Sequence, residues 1–267
     1  MFRSVIIGQY FPVRSPVHAL DPRTKILITL LFIVVLFVAN TPLAYVILGV
    51  ASFLAAVSSH VPLRMLFRGL KPILFILVFT IGLHLFMTKG ETIFKIGPLV
   101  ATREGLYQGL YTAMRLVLLL VTTSLLTLTT SPISLTDGLE SLMRPFQRVG
   151  VPAHELAMMM TIALRFIPTL MEEAERVMKA QMARGADFES GNVFQRAKSL
   201  VPLLVPLFVS AFRRADELAM AMEARCYRGG ENRTRMKQLR AGPQDVVAWA
   251  LSVTVAGVVV FLRWAPK

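Results

Sequence analysis

The sequence predicts an all-α, polytopic membrane protein with about five transmembrane helices. Three features predict it: long uncharged runs, too little charge for a wetted surface, and two long helix-periodic segments between the runs. The chain is 55% apolar with a mean hydropathy of +0.60. Only 17% of its residues are charged, against about 25% in an ordinary soluble domain. Lipid can solvate apolar faces that water cannot.

The first 25 residues carry no apolar run of the kind a cleavable signal needs. Ile26 to Leu63 is free of formal charge over 38 residues. At ~1.5 Å per helical residue this is nearly twice a ~30 Å hydrocarbon core. Asn40-Thr41-Pro42 sits near its middle and favours a turn, so the segment reads as a helical hairpin, 26–39 and 43–60. A loop with Arg64, Arg68 and Lys71 leads to a third span, 69–88, which contains His84, expected as a hydrogen-bonded core residue. In 89–103, apolar residues alternate around Gly97-Pro98, as a small surface hairpin would. The fourth span, 104–130, holds Arg115, which must face protein or snorkel outward. The fifth is 244–262.

Between residues 131 and 241 the pattern changes, which divides the chain into 1–130, 131–241 and 242–267. Thr136-Asp137-x-x-Glu140 reads as the start of a short helix to about 148, ended by Gly150-Val151-Pro152. Long helices follow over 153–183 and 193–225, the second stopped by Gly229-Gly230. Pro168, Pro202 and Pro206 each remove a backbone donor and should bend them. Their first halves are apolar. Their second halves keep an apolar stripe, Leu170, Ala174, Val177, Met178, Gln181 and Met182 in one, Ala215, Leu218, Ala219 and Met222 in the other.

Charge sets the expected orientation. With the N-terminus inside, 23 Lys and Arg fall on the cytoplasmic side and five outside, so the chain reads as N-in and C-out in a bacterial inner membrane. The region 131–241 is then cytoplasmic.

The two long helices repeat one layout at a constant offset. Arg184 corresponds to Arg225, Ala183 to Ala224 and Ala174 to Ala215. Each tip presents an arginine beside small residues: Ala183 and Gly185 in the first, Ala224 and Cys226 in the second. Arginine offers a permanent charge and a planar fork of donors suited to a carboxylate in a groove, and small neighbours allow close approach. Basic residues often end helices because the macrodipole favours them, but two matched tips point to docking.

Other chemistries find little support. No phosphate-binding loop is present, and one cysteine excludes a multi-cysteine metal site or an internal disulfide. His154-Glu155 lacks the second histidine of a zinc-protease motif because residue 158 is Met. The acids are dispersed, against a membrane-embedded lipid- or prenyl-processing enzyme; a stand-alone carrier would want facing ionisable groups, and only His84 and Arg115 qualify. No basic run with aromatic platforms marks a nucleic-acid site. Neither catalytic residues, a metal site nor a cofactor is expected.

Gly8-Gln9-Tyr10, His18-x-Leu20-Asp21-Pro22-Arg23-Thr24-Lys25, Ala183-Arg184-Gly185-Ala186-Asp187 and Ala224-Arg225-Cys226-Tyr227-Arg228-Gly229-Gly230 together resemble the transmembrane T component of energy-coupling factor transporters, the family that includes the cobalt-transport permease. The second tip departs from the family's simplest form in having Cys226 in place of Gly. The resemblance implies an L-shaped protein whose coupling helices bind two ABC-type ATPase subunits at Ala183, Arg184, Gly185, Ala224, Arg225 and Cys226. It also implies a separate S component that binds a vitamin or metal ion. Met158, Met159, Met178, Met182, Leu203 and Leu207 are its expected contacts, the thioethers suiting a surface that repacks. The chain itself would be a non-catalytic coupling subunit.

Overall fold

The computed structural model describes residues 10–96, 99–188, 192–230 and 238–264. Gly8-Gln9 of the N-terminal motif, Gly97-Pro98 and residues 189–191 of the link before Asn192 lie outside them. The chain forms two compact units, Gly8–Gly138 with Gln238–Lys267, and one within Leu139–Lys237.

In the first unit, α1 (Pro16–Ala19) precedes α2 (Pro22–Val38) and α3 (Pro42–Ser58). Asp21 caps α2 through the Arg23 N–H, and Thr41 caps α3 through that of Ala44, with proline at the first helical position in both. This is the hairpin expected around Asn40-Thr41-Pro42. The third span begins earlier than the hydropathy suggests. Residues read as a loop form α4 (Leu63–Leu70), and a 3₁₀ turn joins it to α5 (Leu74–Met87). Arg64 and Arg68 lie one turn apart on α4 while Leu66 is buried, so the charges mark one face of an amphipathic helix.

Strands β1 (Thr92–Ile96) and β2 (Leu99–Thr102) pair antiparallel, with an irregularity between Thr92 and Phe94. They lead into α6 (Arg103–Thr129), which Thr102 caps. Gly105, Gly109 and Ala113, four residues apart and all buried, form its face toward α5. A Cβ at Gly105 would collide with the His84 carbonyl, and one at Gly109 would lie 3.2 Å from Ile81. Small residues at this spacing let membrane helices pack backbone to backbone.

The stretch Leu63–Met87, α6 and α10 (Pro243–Trp264) are each long and apolar enough to cross a bilayer; α3 is a shorter apolar helix. The core joins Leu36, Leu48, Tyr45, Leu118 and Val259 from four helices. Because lipid is as apolar as leucine, burying them from lipid brings little hydrophobic gain, and close packing and polar ties do more of the holding. Arg115 is one such tie. As expected it faces protein, donating to the Tyr45 hydroxyl at 2.8 Å and the Ala39 carbonyl at 3.4 Å.

The N-terminal motif builds a second tie. Lys25 is buried and donates to the carbonyls of Thr129 (2.9 Å) and His18 (3.2 Å), joining the start of α2 to the end of α6. Asp245, also buried, accepts the N–H groups of Asp21 (2.9 Å) and Gly242 (2.7 Å), joining that motif to the start of α10. Asp21 and Asp245 supply the countercharge that Lys25 feels.

His18 orders its segment as the sequence suggested. Its Nδ1 lies 2.7 Å from the Ser15 hydroxyl and its Nε2 3.0 Å from the Phe11 carbonyl. A carbonyl can only accept, so Nε2 carries the proton and Nδ1 accepts from Ser15. Burial lowers the His18 pKa below 6.5, with the Lys25 charge adding to it, against hydrogen bonds to Phe11 and Leu128. The folded chain therefore resists a proton that the unfolded chain accepts. The His18 contribution is complete above about pH 6.5 and declines as the pH falls through the lowered folded value. Thermal unfolding in detergent should show wild type losing stability below that pH, with His18→Gln less pH-dependent.

The second unit contains the end of α7 (Pro132–Met143), α8 (Ala153–Ala183) and α9 (Val193–Ala224). Helix α7 starts earlier than read. The Ser131 hydroxyl accepts the Ser134 N–H, whereas Thr136 is mid-helix and donates to the Pro132 carbonyl. A 3₁₀ stretch, Arg144–Val149, follows and ends at Gly150, as expected. Both α8 and α9 run through their prolines without a break in helix.

Candidate functional site

The tips of α8 and α9 have the same backbone construction. At the first, Gly185 N–H bonds the Met182 carbonyl (2.9 Å) and Ala186 N–H bonds that of Gln181 (3.0 Å). At the second, Cys226 N–H bonds Glu223 (2.9 Å) and Tyr227 N–H bonds Met222 (3.0 Å). These are paired Schellman caps, which turn the chain sharply at a left-handed residue. Gly185 has φ +89° and Cys226 +56°. The small residue after each arginine thus has a backbone role as well as the steric one read from sequence, and cysteine bears a conformational penalty there that glycine escapes.

Arg184 and Arg225 are the capping residues themselves, with equivalent φ of −90° and −92°. Both are exposed, as are Ala183, Ala224, Gly185 and Cys226. Neither guanidinium forms an ion pair with another described residue.

The repeat extends back along both helices. Arg214 Nη2 donates to Glu173 Oε2 at 2.8 Å, and these residues are 41 apart, the offset that relates Arg184 to Arg225. Helices α8 and α9 therefore meet at equivalent positions, and each arginine lies about three turns beyond the meeting point. A half-exposed pair contributes about 1 kcal/mol or less, so its main consequence is register. Arg214→Glu should loosen the α8–α9 pair, and Glu173→Arg with Arg214→Glu should restore it. Protease sensitivity of the two helices checks both.

The inner face of α9 differs from the stripe read in the sequence. Ala215 and Ala219 are exposed, and the half-buried row is Ala211, Arg214, Leu218 and Met222. On α8, Ala174 is buried and Leu170, Val177, Met178 and Gln181 are half-buried. Of the residues expected to contact an S component, Met159 and Met182 are 55% and 48% exposed, while Met158, Met178 and Leu207 are half-buried. Leu203 is only 6% exposed. The broader apolar surface lies in the first half of α9, the stretch read as apolar in the sequence. Val201, Leu204, Val205, Phe208, Val209 and Phe212 follow three-or-four spacing along α9, all exposed. Phe208 stacks on Phe212, and the lower end of the row lines a shallow groove of about 730 Å³ beside Arg213 and Asp216.

His154 pairs with a carboxylate. Its Nδ1 donates to Glu140 at 2.9 Å. Among the described residues, no group of three His, Cys, Asp or Glu could hold a metal ion.

Residues 13–236 match the model of the cobalt transport protein family, CbiQ. The chain is 65% identical over 247 residues to an energy-coupling factor transporter transmembrane protein, EcfT, of Thermosediminibacter oceani, covering 92% of this chain and 93% of that one. It is 54% identical over 264 residues to a protein of the same description from Acidaminococcus fermentans, covering 99% and 98%. With the Bacillus subtilis protein so described it shares 50% identity over 264 residues, covering 98% and 100%.

Proposed function

The chain belongs to the cobalt transport protein family as a transmembrane component of an energy-coupling factor transporter, and on that premise we propose that α8 and α9 couple two ABC-type ATPase subunits to a substrate-binding S component. The equivalence of the tips carries this reading. Two capped helix ends, each with an exposed arginine and a tight turn, fit two copies of one kind of groove. The ATPases would receive one arginine each, as a bidentate partner for a carboxylate. Movement of either tip would then pass along its helix through the Glu173–Arg214 meeting point.

The S component would lie on the exposed apolar row of α9, with Met159 and Met182 adding adaptable contacts. It would carry the vitamin or metal ion, leaving this chain non-catalytic. The N-terminus and the tips would be cytoplasmic, and the C-terminus outside, by the balance of Lys and Arg.

Mass spectrometry of everything that co-purifies with the tagged chain tests the assembly. Two ABC-type ATPases and a small membrane protein are expected, the last identifying the cargo. A chain that emerges alone from mild detergent would contradict the coupling role.

A further inference from the structure

A polar recess of about 230 Å³ opens between α2, α3, α5 and α6, lined by Asn40, Tyr45, His84, Gln108, Tyr111 and Arg115 among others. It is smaller than the ~300–1,000 Å³ usual for a whole organic ligand. Its chemistry is one-sided. Arg115 donates through Nη2 to two neutral oxygens, of Tyr45 and Ala39, while its Nε is buried without a partner. Among the described residues, no carboxylate forms an ion pair with it. Glu104 binds the Glu91 N–H near the β1–β2 hairpin, Asp21 and Asp245 lie at the far end of α2, and Asp137 is on α7. Asn40 and Gln108 add exposed amides at the mouth.

Tyr45 and Tyr111 give the recess an aromatic wall, stacked at 5.4 Å. Beside it, the Arg115 guanidinium lies 5.5 Å from the centre of the exposed Phe37 ring. The level along α6 is also informative. Polar and aromatic residues, Arg103, Glu104, Tyr107, Gln108 and Tyr111, occupy its start, and the apolar run begins at Ala113. Tyrosines gather where hydrocarbon gives way to headgroups, so Arg115 lies about one turn below that boundary.

We propose that this recess binds the phosphate of a phospholipid in the leaflet nearest the β1–β2 hairpin, with Arg115 as its cationic partner. The guanidinium and amides meet the phosphate oxygens, and the aromatic wall meets the glycerol and upper acyl chains. A bound phosphate supplies the countercharge Arg115 otherwise lacks inside the membrane.

Native mass spectrometry of the chain purified in mild detergent, with its accompanying subunits, measures the phospholipid it retains. Wild type is expected to carry phospholipid, and Arg115→Gln to retain about tenfold less, as loss of a charge-assisted contact implies. Tyr45→Phe removes a neutral partner of Arg115 and leaves the charge, so it should retain lipid. Equal retention in wild type and Arg115→Gln would overturn the proposal, as would a Tyr45→Phe loss matching that of Arg115→Gln, since the arginine would then be a structural strut. Release of the lipid from wild type by excess inorganic phosphate would assign the site to a soluble anion and overturn the lipid source. Wild type alone gives a further test should the variants fail to fold. Phosphatidylglycerol should raise its unfolding temperature more than diacylglycerol with the same chains, and equal effects would refute phosphate recognition.

Discussion

Uptake driven by ATP is expected to fall to background in Arg184→Glu with Arg225→Glu, while the protein still inserts in the membrane. Each arginine is exposed and already oriented by its cap, so little else in the chain depends on it. A charge-assisted contact contributes about 1.5–3 kcal/mol, and reversing the charge adds repulsion. Two lost contacts therefore weaken docking by about two to four orders of magnitude. Each single variant should weaken it by a smaller factor. Uptake into proteoliposomes, with ATPase subunits quantified in the same vesicles, separates lost docking from lost insertion. Unchanged uptake in the double variant would remove the arginines from the coupling path.

The second large effect is on stability. Asp245→Ala leaves the N–H groups of Asp21 and Gly242 without their acceptor and strips Lys25 of a countercharge in a buried site. Breaking a buried charge cluster by removing one member costs about 3–5 kcal/mol. The unfolding temperature in detergent should drop sharply, and Asp245→Asn should recover part of the loss, since an amide oxygen still accepts one N–H. A change no larger than that of an exposed substitution would show that α10 is held by packing alone.

Much of this arrangement was legible in the sequence because local signals agreed. Asn40-Thr41-Pro42 marked the turn between two helices, and glycine behind Arg184 marked an end. The bounds of α8 match those read, and those of α9 differ by one residue at the tip. The failures have physical causes. Arg64 and Arg68 looked like a loop because charge was read without period, although residues four apart share one helix face. The start of α7 was misplaced because Thr136-Asp137 resembles a cap, while Ser131-Pro132, the true helix start, was read only as the place where the pattern changes. Asp21 and Asp245 are 224 residues apart, and no local pattern in one sequence joins them.

At the tips, the Ala-Arg-Gly and Ala-Arg-Cys strings were visible, but the reason for their third residue was only half visible. Small size was inferred; the left-handed backbone came from the structure. A glycine just past an arginine-terminated helix is the signal that would have found it. The Glu173–Arg214 contact was implicit in the constant offset, since aligned acidic and basic positions can meet where two copies of one helix cross.

Cys226 gives the most direct test of the coupling account. It is the chain's single cysteine, free, exposed and on the second tip. Gly185→Cys with Cys226→Ala would move that handle to the first tip, into a backbone conformation that Cys226 already adopts. A thiol-to-amine crosslinker applied to intact membranes should capture an ABC-type ATPase subunit from each position. Crosslinks from both tips that yield no ATPase would contradict it.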